Sequence, residues 1–564
     1  MTQTPANFDY DVCIRGGMLV DGTGAPRRSG DLAIVDGNIT AAGDCPGKAR
    51  EEIDATGLIV SPGFIDIHTH YDAQVLWDRM LSISPWHGVT TVVMGNCGFG
   101  VAPTRPQHRE LILKTLEGVE GMSLQALTEG IGEWPFETFP QFLQAVEDRG
   151  TAINVGALVG HTAVRTYVMG EDATEREATP DEVEQMAAIV SEALESGALG
   201  LATSKAGAHV GHSGKPVPSR AAAIEEIRTL ADCLKGRDRG VLQVTAGRGL
   251  FLKQFAEIQK RIGRPISWTA LLGGMMGKDG HREVLEKSAA MQAEGIDVIP
   301  QVSCRPLMVE FGLAKPFPLE SMSLFKPVSE ADRAGKKAIY ADPEFRDAFK
   351  ARAERGGIAG NFGKWTISRC EGDPELVERN VAEVAVERGV HPVDLVLDLA
   401  LESDLRALFR VAAANDDDDV VAELITHHSV MLGLSDAGAH ASQLCDANFA
   451  THLLSYWVRH KEVLGLEEAV RMLTTRVAEV FGIEGRGQLA PGMAADVVLF
   501  DQATVGCSPL RRVHDLPAGE DRLISDACGI HRVIVNGTTI RRNNEDCVGP
   551  KGALPGRLLR GGTA

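Results

Sequence analysis

Eight short apolar runs punctuate the middle of this chain, and helical stretches separate several of them. In order they are GLIVSPGFIDIHTH, TTVVMGNCG, INVGALVGH, ALGLATSK, GVLQVTAG, PISWTALLGG, IDVIPQVSC and SVMLGLSDAG. Segments between them, such as ATPDEVEQMAAIVSEALESG, carry Pro or Asp near the start and Gly at the end, which is helix punctuation. Parallel strands need such crossovers, so the alternation predicts a parallel sheet. An open doubly wound sheet would alternate in the same way. The count of eight, with polar residues at the C-terminal ends of the runs, favours an α/β fold of the (β/α)₈ TIM-like barrel type.

The two ends of the chain read differently. Residues 10–60 and 484–545 are short apolar runs closed by Gly or Asp-Gly, as in YDVCIRGGMLVDG and HRVIVNGTTI. That is hairpin punctuation. The expected organisation is therefore a β-sandwich built from both chain ends, residues 1–61 and 484–564, around a barrel at 62–483. Two separate small β units would give the same pattern. Residues 98–150 and 305–428 exceed ordinary loop length, and long insertions after barrel strands serve as lids or pocket walls.

Composition removes several classes of function. The net charge is -20 over 564 residues, a surface that repels phosphate backbones and argues against nucleic acid. No run of about 18 apolar residues exists, so no membrane span is expected. The opening MTQTPANFDYDVC lacks a basic region followed by an apolar stretch, so no secretory signal is expected. Ten cysteines stand singly, without CxxC, which fits reduced thiols in a cytoplasmic protein. No GxSxG elbow anchors a serine triad, and no GxGxxG opens a dinucleotide site. The oligomeric state is open; a homo-oligomer is compatible with everything above.

The segment richest in chemistry is GFIDIHTHYD. His68 and His70 are two apart on a strand, so both imidazoles point to one side. At a barrel mouth they would aim two nitrogens at one metal ion. Two surface histidines on a loop would be the plainer reading, but the apolar run before them and Asp66 argue against it. Other residues compete for roles at the mouth. His161 ends the third run and precedes Arg165. Arg165, and Arg305 after the seventh run, are candidates to clamp a substrate carboxylate, since guanidinium offers a bidentate fork. His440 follows the last run and is placed to meet substrate or to orient Asp436. His209 and His212 sit in a Gly-rich loop, where they could serve as metal ligands; facing solvent is the plainer reading. His427 and His428 precede the last strand, away from the mouth. Glu117 and Glu120 follow the Cys97 strand, where a carboxylate could reach the pocket; a solvated face is the plainer reading.

GFIDIHTHYDAQ resembles the amidohydrolase superfamily, whose barrel begins with this HxH. PGFIDIHTHYD followed by GVTTVVMGNCGFGVAP is similar to the N-acyl-D-amino-acid deacylase (D-aminoacylase) branch. VGHTAVRTYVMG, GALGLATS, GLSDAGAH and the closing GQLAPGMAADVVLFD extend the likeness over most of the chain. The resemblance implies that Cys97 of GNCG is a metal ligand, as suits a thiolate beside Zn²⁺. Without it, Cys97 would read as a small buried residue in a turn. It also implies that Asp436 of LSDAG contacts the metal and carries a proton from the attacking water to the leaving nitrogen. An N-cap would be the plainer role. The family's histidines at the ends of the fifth and sixth strands are missing. LQVTAGRG and ISWTALLGG offer Thr245 and Trp268, or their neighbours, instead. Either one Zn²⁺ sits on His68, His70, Cys97 and Asp436, or a second ion enlists a loop histidine or Lys205 of ATSKAG, where several members of the superfamily, though not usually this branch, carry a carboxylated lysine. The function implied is metal-dependent hydrolysis of a small-molecule non-peptidic amide such as an N-acyl amino acid, with Asp436 as general base. A cyclic amide hydrolase, a deaminase and a metal-free scaffold are the alternatives.

Overall fold

The computed structural model describes residues 8–563 except 212, 213, 278, 317, 318, 321 and 440–444. Eight strands form one parallel sheet in sequence order: β1 (Phe64–Asp66), β2 (Val89–Met94), β3 (Asn154–Gly160), β4 (Gly200–Ser204), β5 (Val241–Thr245), β6 (Ile266–Thr269), β7 (Val298–Val302) and β8 (Met431–Leu432). Every residue of β3 is buried, as expected of a parallel strand covered on both faces. The sheet curls so that its two edges meet just past the C-terminal ends of β1 and β8. There Thr69 bridges Ala437, His70 N–H donates to Ala437 O (2.7 Å) and Asp436 N–H donates to His68 O (3.1 Å). Ile65, Ile67, Val93, Leu158, Ala202, Ile299 and Met431 join one buried apolar cluster that fills the sheet's concave side. This is the TIM-like architecture the strand count predicts.

The helix expected from ATPDEVEQMAAIVSEALESG spans Pro180–Ser196, with a capping box between Thr179 and Glu182 and a left-handed stop at Gly197. The 98–150 insertion folds into α1 (Arg109–Glu120), α2 (Leu124–Ile131) and α3 (Phe139–Arg149).

Strands from both chain ends share one nine-stranded mixed sheet, the body of the sandwich domain. Its seam is Ile59–Pro62 running antiparallel to Val497–Phe500. Asp496, in the closing AADVVLFD, holds this sheet to the barrel. It accepts from Arg486, from Asn154 Nδ2 at the foot of β3 (2.9 Å) and from Asn536 N–H (2.8 Å). Arg486 and Asp496 are each 3% exposed, so neither charge has water to fall back on. Asp496→Ala is therefore expected to cost about 3–5 kcal/mol, the range for breaking a buried pair. Urea unfolding would measure it, and a loss below about 1 kcal/mol would show the pair to be dispensable.

The chain divides into two compact units. One comprises Met1–Cys304, Asp419–Ala441 and Cys445–Ala564; the other comprises Arg305–Asp418 and Ser442–Leu444. The second unit has its own three-stranded sheet, Leu307–Gly312, Leu408–Ala414 and Trp365–Arg369 in that spatial order. It also has its own aromatic core, with Phe311 edge-on to Trp365 and Phe325 edge-on to Phe349. The long 305–428 insertion is thus a folded body rather than a loop. Among the described residues, no helix is long and apolar enough to cross a membrane.

Candidate metal centre

The HxH segment leaves β1 at the closed end of the barrel, where backbone bonds from the last strand hold it. His68 O accepts from Asp436 N–H and from Ser435 Oγ (3.0 Å), so the turn carrying Asp436 is fastened directly to His68. Asp436 has a left-handed φ of +47°, a conformation Asp tolerates better than most residues. Cys97 is presented by GNCG, also in a left-handed conformation (φ +56°), and its N–H donates to Gln243 Oε1 of β5 (2.7 Å). Gly95 is required in that motif: a Cβ there would lie 2.2 Å from Leu158 O.

These elements bring four donors together. His68 Nε2 is 3.4 Å from Cys97 Sγ and 3.3 Å from Asp436 Oδ1, and His70 Nε2 is 3.6 Å from the same oxygen. Ligand atoms of His68, His70 and Cys97 lie within 4.8 Å of one another, and all three residues are buried. With metal–nitrogen bonds of about 2.1 Å and metal–sulfur bonds of about 2.3 Å, tetrahedral donors stand roughly 3.4–3.6 Å apart. The spacing therefore fits an ion held among the four.

The electrostatics fit as well. Burial pushes the carboxyls of Asp66 up to about 7, Asp72 to about 6 and Glu120 to about 8. Burial opposes ionisation of Cys97, but the His68 and His70 imidazoles outweigh it and hold the thiol well below its ordinary value. A dication among these donors would favour the ionised forms of the buried carboxyls around it.

Two side chains stand behind the imidazoles. Gln301 of β7 accepts at Oε1 from His68 Nδ1 (2.8 Å), while its amide donates to Ser267 Oγ (2.7 Å). An amide oxygen only accepts, so His68 carries its proton on Nδ1 and offers Nε2 to a ligand. Glu120, at the end of α1, places Oε1 3.2 Å from His70 Nδ1 and is buried. The solvated face expected for Glu120 is wrong. Glu117 instead accepts from Leu124 N–H, at the start of α2.

Other sequence candidates fall elsewhere. His161 and Arg165, one turn apart on a helix (His161–Met169), both bind Glu226; His161 does so at 2.8 Å. Arg165 also donates to Ala173 O (2.9 Å) and Arg176 O (2.5 Å), so each guanidinium nitrogen is engaged within the protein, and the side chain is fully buried. Lys205 Nζ donates to Arg220 O (2.7 Å) and Ala222 O (2.5 Å), which ties its side chain to backbone carbonyls. Where the fifth and sixth strand histidines were expected, Thr269 Oγ1 donates to Thr245 Oγ1 (3.2 Å). Trp268 turns outward, with its ring packed on Phe251 and Phe255. His209 is not solvent-facing: it is half-buried, bonded to Ser204 Oγ (2.7 Å) and packed on Phe99. His427 and His428 stack on each other before the N-terminal end of β8. Arg305 opens the second unit, where its carbonyl accepts from Asn415 Nδ2 (2.8 Å). His212 and His440 lie outside the described residues.

The family model for the amidohydrolase family matches residues 51–306 and 328–541, which include every residue of this cluster. The chain belongs to the amidohydrolase family. A D-aminoacylase of Alcaligenes xylosoxydans is 30% identical over 537 residues, covering 94% of each chain. A solved D-aminoacylase, described as having a binuclear centre with one-metal activation and second-metal attenuation, superposes with a TM-score of 0.67. It is 27% identical, covering 97% of this chain and 99% of that one. An N-acyl-D-glutamate deacylase of Bordetella bronchiseptica, solved with zinc and a phosphonate mimic of the tetrahedral intermediate, gives 0.65 at 27% identity, covering 98% and 99%. This amidohydrolase falls in the D-aminoacylase branch and is a hydrolase of non-peptide C–N bonds. The family and the His–His–Cys cluster together support metal-dependent action on an amide.

Proposed function

We propose that this amidohydrolase is a zinc-dependent deacylase of N-acyl-D-amino acids with a single working metal site. The observation that carries the reading is the convergence of His68, His70 and Cys97 with Asp436 Oδ1 set against both imidazoles. Imidazole, thiolate and carboxylate donors suit zinc, and the related D-glutamate deacylase contains it. The single site is supported by the threonine pair at Thr245 and Thr269, neutral hydroxyls in place of the two histidines a second ion would need. Bound zinc would supply Lewis acidity, polarising the scissile carbonyl and acidifying water.

The chain's own residues supply the rest. His68, His70 and Cys97 hold the ion. Asp436 takes a proton from water as the water oxygen bonds to the carbonyl carbon. It then delivers that proton to the nitrogen as the C–N bond breaks, leaving a carboxylate and a free amino acid. Asp436 is the right member for this because its side chain is 21% exposed, against 1% and 5% for His68 and His70.

A panel of N-acetyl-D-amino acids, N-acetyl-L-amino acids, hydantoin and dihydropyrimidines tests the reading, with free amine as the readout. Turnover of the D series, lost on chelation and restored by zinc, is expected. Turnover confined to the cyclic amides, or none at all, would overturn it. Lys205→Ala is expected to leave the metal content unchanged at one ion per chain by elemental analysis. A ratio of two that falls to one in the variant would make the lysine a ligand.

A further inference from the structure

We infer that Glu120 is a positioning residue for the metal centre: its carboxylate accepts a hydrogen bond from His70 Nδ1–H, which keeps the proton on Nδ1 and aims Nε2 at the ion. This rests on the reading above that His70 is a ligand. A metal-binding imidazole has one nitrogen for the metal and one for a partner, and the partner decides which nitrogen keeps the proton. Glu120 Oε1 stands at ion-pair distance, 3.2 Å, from Nδ1, on the far side of the ring from Asp436, which faces Nε2. Two other buried carboxyls of the site are engaged by backbone: Asp66 Oδ1 accepts from His68 N–H (3.2 Å), and Asp72 Oδ2 accepts from Gly95 N–H (3.0 Å).

The placement has a cause in the fold. Ile112, Leu116 and Glu120 fall four apart on α1 and are all buried, so Glu120 continues the helix's inward stripe. Gly121, left-handed at φ +61°, ends the helix directly after it and fixes where that carboxylate stops. Ala73, Phe99, Leu116, Met122 and Leu127 surround the contact, with the Asp72 carboxyl beside them. Apolar neighbours strengthen the attraction between His70 and Glu120 by lowering the local dielectric. The two histidines are then unequal: His68 leans on the neutral Gln301, and His70 on a carboxylate, which makes His70 the more basic ligand.

The test is zinc affinity by chelator competition in Glu120→Leu and Glu120→Gln, with the visible spectrum of the cobalt-substituted protein and a thermal melt for each. Losing the carboxylate that supports a ligand costs about 10–100-fold in metal affinity. Glu120→Leu is expected near the upper figure with an altered cobalt spectrum, and Glu120→Gln, which keeps an acceptor without the charge, near the lower. If Glu120→Leu does not fold, Glu120→Gln decides alone. Wild-type affinity and an unchanged cobalt spectrum in a folded variant would overturn the inference while leaving the metal reading intact. Wild-type protein whose zinc content is unaffected by His70→Ala would overturn both.

Discussion

Replacing His68 and His70 together with alanine is expected to abolish both metal retention and amide hydrolysis. The two side chains supply both imidazoles of the described donor cluster, and what remains, Cys97 with Asp436, is too few donors for a closed site. The loss of metal is read by elemental analysis and the loss of turnover by amine release. Circular dichroism should be unchanged, because the backbone bonds that close the barrel here run through His68 O and His70 N, which alanine keeps. A double variant with full turnover would end the metal mechanism outright.

Asp436→Asn carries the second large effect. Asparagine keeps the shape, and the backbone N–H at this position still donates to His68 O (3.1 Å), so the turn should stay where it is. The amide cannot accept the water proton. Turnover is expected to fall about 10²–10⁴-fold, the usual share of a general base. KM and the melting temperature should move little by comparison. An unchanged rate in a normally folded variant would reduce Asp436 to a structural element of the turn.

The architecture was legible because its signals are local. Strand runs such as NVGALVG, and the Pro-Asp start and Gly end of ATPDEVEQMAAIVSEALESG, are written in consecutive residues, and the chain folds them as read. The HxH pair was legible for the same reason, since period two alone puts both rings on one side. Cys97 and Asp436 were reached through family likeness, because nothing near them in sequence says that they converge. Gln301 was missed, and for Glu120 the plainer of two readings, a solvated face, failed. Gln301 was nonetheless marked, as an amide inside the apolar run IDVIPQVSC, and Glu120 by its four-residue spacing from Ile112 and Leu116. Arg165 misled because a helix placed it one turn from His161 and both found Glu226, a partner 61 residues further along the chain. Strand-end position says which end of the barrel a residue occupies, but not whether its side chain turns into the barrel or out toward the helices.

The bond from Ser435 Oγ to His68 O spans 367 residues of chain. The loop that carries Asp436 is thus the same one that joins the first barrel strand to the last. Such a contact carries a large loop-closure cost and belongs among the late events of folding. Partly folded chains with an open sheet would present an HxH without its aspartate. Hydrolytic competence then reports on completion of the whole ring, and an ion bound only by the finished ring stabilises it by mass action. At a hundred times its dissociation constant that amounts to about 2.7 kcal/mol. Metal supply during synthesis would accordingly govern how much of this protein persists in the folded state, in addition to how fast each folded molecule works.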